Sequence, residues 1–231
     1  MNQQNIYKHG QPVQVEHIFQ GKKQQIRVIE SDNKMVEQTI ILLSDGGISS
    51  VTLEAVGVRA GYSRGLVSRH YGSKDGLFIR VFKFLEDWIE DSSKRATQDI
   101  DGIDAINAFI LDISNNINLH VEKYRAYFFL WFYGLESTGE FNQYLMQVRN
   151  FREQRCLKWL KQAQKLKQLS RKSDLSMLSD FVMTSIIGLI HKWMFDMAFD
   201  IELRLKQLVN IQLRTMFANS HLFYSVNYWG E

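Results

Sequence analysis

The sequence predicts an all-α fold for a chain of 231 residues. Its one proline, Pro12, leaves the rest of the chain free of the residue that most strongly interrupts helices. From about residue 34 onward, apolar residues recur at the three- and four-residue spacing of a buried helix face. Strands alternating with helices are not visible, so we do not expect a parallel sheet. A hydrophobic content of 45% is enough for one or two sizeable cores.

The composition restricts the class and the compartment of the protein. A single cysteine, Cys156, excludes an intrachain disulfide and a cysteine-based zinc cluster, which favours a reducing compartment such as the cytoplasm. The amino-terminal residues lack the apolar run of a secretory signal. We expect no association with a membrane, because no apolar run approaches the roughly 20 residues of a spanning helix. The net charge of +3 is too small to indicate nucleic-acid binding by itself.

Residues 1–30 stand apart as an amino-terminal extension that is rich in glutamine. Alternating polarity in residues 13–19 and a second apolar stretch at 26–29 favour a weak β-hairpin, but a flexible arm is equally compatible. Basic side chains could carry the extension into a neighbouring minor groove, although an unengaged tail is the better hypothesis. These side chains are Lys22, Lys23 and Arg27.

A first helix is predicted from about residue 31, with Ser31 or Asp32 as its cap and the pair Gly46-Gly47 as its end. The segment from Thr52 to Leu77 then reads as two short helices joined by a turn of about three residues. The residues that end the first of these helices and begin the second give the strongest local signals in the chain.

The turn between these two helices is marked by a glycine and a serine. Gly61 follows the last apolar residue in register and can end the first helix in the left-handed conformation, while Ser63 is a good N-cap for the second. Such a unit can present its second helix to the major groove of DNA. Residues 31–76 are therefore predicted to form a three-helix domain with a helix-turn-helix unit.

The second helix of the pair, Arg64 to Tyr71, has one side that is rich in hydrogen-bond donors and free of acids. Arginine can grip guanine edges or phosphates, serine can contact either, and glycine lets the backbone come close to DNA. An ordinary solvated helix face is the alternative. The residues on this side are Arg64, Gly65, Ser68 and Arg69.

A long helix begins at Ser73, which is a good N-cap, and continues for about five turns. Further helices are predicted by apolar spacing in the carboxyl-terminal two thirds of the chain. They lie near residues 103–121, 124–135, 141–166, 175–199 and 201–217.

This order of helices resembles the tetracycline-repressor (TetR-like) family of bacterial transcription regulators. The likeness covers roughly residues 34–81 and rests on the stretch SSVTLEAVGVRAGYSRGLVSRHY and on the joint YGSKDGL, which is similar to the family's aromatic-x-x-Lys-x-x-Leu pattern. It implies a homodimer, with each recognition helix in successive major grooves of operator DNA. It also implies that residues 77–219 form a domain for effector binding and dimerisation, followed by a tail at 220–231.

The resemblance also assigns residues to the DNA contact. Gly65 matches a close approach of the backbone, and Arg69 stands where an aromatic residue is frequent, so that it could read guanine or hold a phosphate. Lys74 lies at a helix N-terminus, where backbone amides favour phosphate. The positions that match family contacts to phosphate or bases are Thr52, Ser63, Arg64, Ser68, His70, Tyr71 and Lys74.

An aromatic cluster in residues 124–133 is too dense for one helix face. Some of its rings must line an internal space or another subunit, so we predict an apolar pocket for an unknown small molecule, although ordinary packing is the alternative. His120 or Tyr144 would supply a polar group. The predicted pocket residues are Phe109, His120, Phe128, Trp131, Tyr144 and Met183.

The last two predicted helices offer a dimer surface. A broad apolar face runs along residues 175–199, and small residues in it allow close approach of another helix. An intrachain core is the alternative. The predicted interface residues are Phe181, Ser185, Gly188, Leu189 and Leu208.

The preferred hypothesis is a ligand-responsive repressor, and two other functions compete with it. Residues 61–65 satisfy G-x-S-x-G, the nucleophile elbow of serine hydrolases, but this motif needs a preceding strand where the sequence has helical spacing. HExxH, P-loop and GxGxxG patterns are absent, so no enzyme activity, metal or cofactor is expected. A helical protein-interaction module without DNA binding is the other alternative.

Overall fold

The computed structural model describes the backbone of residues 7–8, 11–12 and 15–220, and the side chains of residues 24–220. The fold is all-α, as predicted, apart from a two-residue antiparallel pair formed by β1 (Tyr7–Lys8) and β2 (Gln11–Pro12). Most of the predicted tail, residues 221–231, lies outside the described residues.

Helix α1 (Val15–Ser50) is longer than predicted, and the hairpin expected within residues 13–29 is wrong. Neither Ser31 nor Asp32 caps a helix, because the backbone is helical on both sides of them. Short alternation is a weak signal here, since the glutamines, lysines and arginine of this segment favour helix. The predicted end is confirmed as a break: Gly47 adopts φ 67° and ψ −163°, and one further turn follows.

Two short helices follow at the predicted positions: α2 (Leu53–Ala60) and α3 (Arg64–Tyr71). Each has the expected serine or threonine cap. The Thr52 hydroxyl oxygen accepts a hydrogen bond from the Ala55 amide at 3.0 Å, and that of Ser63 accepts one from Leu66 at 3.2 Å. Gly61 ends α2 in the left-handed conformation, with φ 76°. Local capping therefore determines the geometry of the turn.

The long helix α4 (Lys74–Ala96) leads from this domain into the helical body. The body comprises α5 (Gly102–Ile117), α6 (Val121–Glu136), α7 (Glu140–Lys165), α8 (Leu175–Phe195), α9 (Ile201–Gln207) and α10 (Arg214–Ala218). A π-helical segment, Leu208–Leu213, joins the last two. One continuous apolar core connects α1 to α10, and the closest packing of α1 is against α6.

Helix α8 is, within the described residues, the one helix long and apolar enough to cross a membrane by length and composition alone. No such segment was expected, because Asp180 and Lys192 interrupt its apolar run. The serines, threonine and glycine between the apolar residues lower the mean hydropathy only slightly, so it stays high. Only 28% of the apolar window is buried inside the protomer, so the exposed side of α8 requires a cover.

Candidate DNA interface and ligand cavity

The exposed side of α3 carries the donor-rich face expected from the sequence. Ser63, Arg64, Gly65 and Arg69 are exposed, and Ser68 is half-buried. On the opposite side Val67 is fully buried and attaches α3 to the core. Because the Ser63 oxygen accepts from the Leu66 amide, its own O–H remains available to donate. Thr52, exposed at the start of α2, is arranged in the same way.

A glycine inside α2 allows the turn to pack closely. A Cβ added at Gly57 would lie 2.9 Å from the carbonyl oxygen of Tyr62, closer than real Cβ atoms approach such an atom. The Gly57 carbonyl also accepts a hydrogen bond from the Tyr62 amide at 2.8 Å. The close packing of the turn therefore requires glycine at position 57 in this chain.

His70 and Tyr71 are turned toward α1, where both meet Asp32. The Tyr71 hydroxyl donates to Asp32 Oδ1 at 2.8 Å, and His70 Nε2 lies 3.3 Å from the same oxygen. Arg80 of α4 donates through Nε to Asp32 Oδ2 at 3.0 Å. Burial and the bond to Asp32 raise the pKa of Tyr71 well above its ordinary value, so its hydroxyl stays a donor.

Asp32 thus joins three helices, α1, α3 and α4, and the predicted contact of Tyr71 with DNA competes with this internal bond. We call the four side chains Asp32, His70, Tyr71 and Arg80 the Asp32 cluster. The sequence did not reveal it, because its members are 38 or more positions from Asp32 and no local pattern links them. The sequence instead placed Asp32 at the start of a helix, as a candidate cap.

Lys74 lies at the N-terminus of α4, as predicted, and its ammonium is already engaged. Its Nζ donates to the carbonyl oxygen of Ile48 in the last turn of α1 at 2.9 Å. Burial lowers the pKa of Lys74. An ammonium has three N–H donors, so two remain for a phosphate. Next to it, Asp75 accepts a hydrogen bond from the Tyr133 hydroxyl of α6 at 2.9 Å, which links this joint to the body.

A cavity of about 480 Å³ lies among helices α4 to α8. Four of the predicted pocket residues line it: Phe109, Phe128, Trp131 and Met183. His120 and Tyr144 do not, so their predicted role is wrong. Both rings turn toward α4 instead, with centroids 5.0 Å from Trp88 for His120 and 6.0 Å from Phe82 for Tyr144.

Four charged residues and one threonine that the sequence did not mark as pocket residues also line the cavity. They are Arg149, Arg152, Glu153, Asp180 and Thr184, on α7 and α8. Arg149 Nε donates to Glu153 Oε1 at 2.8 Å, near the surface. Arg152 is buried and bonds to Glu86 of α4, donating from Nη2 to Oε2 at 2.8 Å and from Nε to Oε1 at 3.3 Å.

The predicted dimer residues fall into two groups. Phe181 and Gly188 are exposed, while Ser185 and Leu189 are half-buried beside them. The prediction that Leu208 lies at the interface is wrong, because its side chain is fully buried within the chain itself. Exposed positions on α8 repeat at alternating intervals of four and three residues, as in one seam of a coiled coil. This α8 stripe consists of Met177, Phe181, Thr184, Gly188, His191 and Phe195.

The G-x-S-x-G motif at residues 61–65 does not form the nucleophile elbow of a serine hydrolase. Ser63 is preceded by helix α2 and a turn, and it caps α3. A nucleophile elbow needs a strand in that place. Within residues 24–220, moreover, no group of three His, Cys, Asp or Glu side chains is placed to hold a metal ion.

Comparison with known proteins agrees with this geometry. Residues 36–81 match the family description "bacterial regulatory proteins, tetR family". A curated relative, the HTH-type transcriptional regulator BetI of Paraburkholderia phymatum, is 39% identical over 52 residues, or 22% of this chain. The matched part spans 26% of that relative's length.

Solved structures extend the likeness to the whole fold. SmeT, the repressor of the Stenotrophomonas maltophilia multidrug efflux pump SmeDEF, has a TM-score of 0.66 at 18% identity, over 80% of this chain and 89% of its own. The fatty acid degradation regulator FadR from Bacillus halodurans has a TM-score of 0.65 at 11% identity, over 80% and 93%. At such identities the likeness establishes the fold alone.

An amino-terminal helix-turn-helix unit on a larger helical body is the architecture that this chain shares with the solved regulator SmeT. The capped pair α2–α3 lies within the matched segment. Residues 36–81 are thus similar to the TetR family of bacterial regulatory proteins, and the chain shares its fold with solved regulators such as SmeT.

Proposed function

We propose that this protein is a cytoplasmic, homodimeric repressor that binds operator DNA through α3 and releases it when a small molecule fills the cavity. The exposed donor face of α3 is the observation that carries the proposal. Arg64 and Arg69 project from it, and no acidic side chain lies on that face. Arginines placed in this way supply both phosphate attraction and base recognition.

The α8 stripe supports the homodimer. Phe195 is 84% exposed and Met177 46%, although both are large and apolar. Gly188 in the middle of the stripe has open space around its Cα, which lets another helix approach closely. A twofold-related copy of the same stripe is a self-complementary cover. Two recognition helices would then meet two half-sites about one DNA turn apart.

Ligand control follows from the connections of α4 to both domains. At its start, α4 carries Lys74 and Asp75, which bond to α1 and α6. About three turns further along α4, Glu86 bonds to Arg152 at the cavity. A ligand that favours another position of α4 changes the separation of the recognition helices. Such control requires different ligand affinities for the two states.

Binding to DNA from upstream of the protein's own gene, measured by fluorescence anisotropy over a range of salt concentrations, tests the proposal. We expect specific binding that weakens as salt rises, and that Arg64→Ala reduces. Arg95→Ala, which changes an exposed arginine near the far end of α4, is the matched control. Absence of specific binding would favour the interaction module instead, and equal affinity of the Arg64 variant and wild type would show that the donor face of α3 is not the DNA contact.

Replacing Arg69 by alanine is predicted to relax the sequence preference at one base pair. A bidentate contact between arginine and guanine contributes about 1–3 kcal/mol of discrimination, so the preference there should fall by about tenfold or more. Anisotropy on a set of operator variants measures this. Equal weakening on all variants would identify a phosphate contact and contradict the prediction.

Replacing Phe195 by glutamate is predicted to dissociate the dimer. The change introduces one charge per protomer into an apolar contact, and loss of an aromatic residue that anchors an interface typically costs about 2 kcal/mol or more. Sedimentation velocity at micromolar concentration measures the result. Leu119→Glu is the control, because Leu119 is 74% exposed but lies away from the α8 stripe. A wild-type monomer, or an unchanged dimer in the Phe195 variant, would refute the proposed interface.

A further inference from the structure

The cavity has an aromatic interior and an open rim. Phe109, Tyr124, Tyr127 and Phe128 line it and are buried. At the rim, Leu135 is 72% exposed and Met146 42%. Aromatic residues on several sides of the cavity favour a flat, apolar molecule, because aromatic pairs gain from stacked or edge-on packing in addition to burial. The body of the ligand is therefore apolar.

Arg152 is the most buried of the charged side chains that line the cavity, and its charge is already neutralised. Arg149, Glu153 and Asp180 also line the cavity but are more exposed to solvent. The side chains of Arg152 and Glu86 are each 10% exposed. Both Glu86 oxygens accept hydrogen bonds from Arg152, and the Tyr127 hydroxyl donates to Oε2 at 2.9 Å. The Arg152 guanidinium also lies over the Tyr127 ring, 5.3 Å from its centroid. This Arg152–Glu86–Tyr127 network is thus neutral as a unit.

Donor capacity remains in this network after its internal bonds are made. A guanidinium has five N–H groups. Two of them, the one on Nε and one of those on Nη2, donate to Glu86. The remaining donors of Arg152 can meet an oxygen acceptor on a ligand. A ligand carboxylate in that place would lie close to the Glu86 carboxylate in a region of low dielectric, and an ammonium would meet the guanidinium itself. Both charged groups are disfavoured.

We infer that the effector is an uncharged aromatic or polycyclic molecule whose buried end presents a carbonyl, ether or hydroxyl oxygen to Arg152. This inference rests on the proposed function, because it assigns a ligand class to the same cavity. The network then has a second consequence. Because Arg152 is bonded to Glu86 of α4, a ligand oxygen that binds Arg152 also changes the contact between α7 and α4.

A charge-matched ligand panel tests the class. Two sets of probes are titrated into the full-length protein by calorimetry: 2-acetylnaphthalene, 2-naphthoate and 2-naphthylmethylammonium, and flavone with its 6-carboxylate and 6-aminomethyl derivatives. We expect the neutral member of at least one set to bind at least about tenfold more tightly than both charged members, because burying an unpaired charge is costly. Equal or tighter binding of a carboxylate or amine overturns the inference but leaves the effector cavity in place. Absence of saturable binding by every probe overturns the inference, and if DNA binding and dimerisation persist, the regulator itself still stands.

The variant Glu86→Gln provides a sharper test, because it keeps the shape of the side chain and leaves Arg152 without a counter-charge. We expect the affinity for the carboxylate probe, relative to the neutral probe, to rise at least about tenfold. Glu90→Gln is the matched control, since Glu90 lies one turn further along α4, pairs with Arg155 and does not line the cavity. An unchanged ratio in a folded Glu86 variant contradicts the inference. The wild-type panel decides the matter if that variant does not fold.

Discussion

Replacing Asp32 by alanine is expected to weaken operator binding by about 10- to 100-fold, although it removes a negative charge beside the recognition helix. Removing that charge alone would strengthen the attraction to phosphate. The expected loss comes from the Asp32 cluster: Tyr71 and Arg80 lose their acceptor, and α3 loses its connection to α1 and α4. A half-buried donor without a partner costs about 1–3 kcal/mol.

Anisotropy with operator DNA measures this effect, and Asp45→Ala is the matched control. Asp45 is an exposed acid on the same helix. Ligand binding and the dimer should be unchanged in the Asp32 variant, because the cavity and the α8 stripe lie elsewhere in the fold. Tyr71→Phe should show part of the same loss. Equal or tighter DNA binding by the Asp32 variant would show that the cluster does not orient α3.

Replacing Arg152 by methionine is expected to destabilise the protein by about 3–5 kcal/mol, because Glu86 would remain buried without its partner. For a domain of this size, each kcal/mol lowers Tm by about 2–4 °C. The exposed ion pair on the same helix provides the control. Arg149, whose side chain is 55% exposed, pairs with Glu153, and Arg149→Met should cost at most about 1 kcal/mol.

The double variant Arg152→Met with Glu86→Leu separates the two causes of this loss. If the unpaired charge dominates, replacing both partners by apolar residues should restore most of the stability, as it does for many buried ion pairs. Thermal unfolding followed by circular dichroism gives the Tm of the wild type, the Arg152 and Arg149 single variants and the double variant. A single Arg152 variant that loses less than about 1 kcal/mol would mean that water reaches Glu86, and that the pair is not buried as described.

The helix-turn-helix unit was predictable because its signals are local. Thr52, Ser63 and Gly61 each act on backbone atoms within three or four residues of themselves, and the caps occur where the sequence places them. The extent of α1 was less predictable. Residues 24–30 are exposed, so no buried face imposes a helical pattern on them.

The cavity was predictable in part. The density of aromatic residues on α6 indicated an internal space, and Phe128 and Trp131 do line it. His120 and Tyr144 were wrong because the direction of a side chain depends on how its helix is rotated against its neighbours. Leu208 was wrong for a related reason: apolar spacing marks a buried face but does not distinguish an intrachain core from an interface between subunits.

The sequence by itself determined the short helices α2 and α3, the capped turn between them and the donor-rich face of α3, since these depend on residues within a few positions of one another. Only the tertiary structure decided which polar side chains meet. Asp32 and Arg80 are 48 positions apart, and Glu86 and Arg152 are 66 apart. Such pairs depend on the packing of whole helices, which the burial of many apolar side chains sets together. The connections that would carry a signal from the cavity to DNA are of this kind.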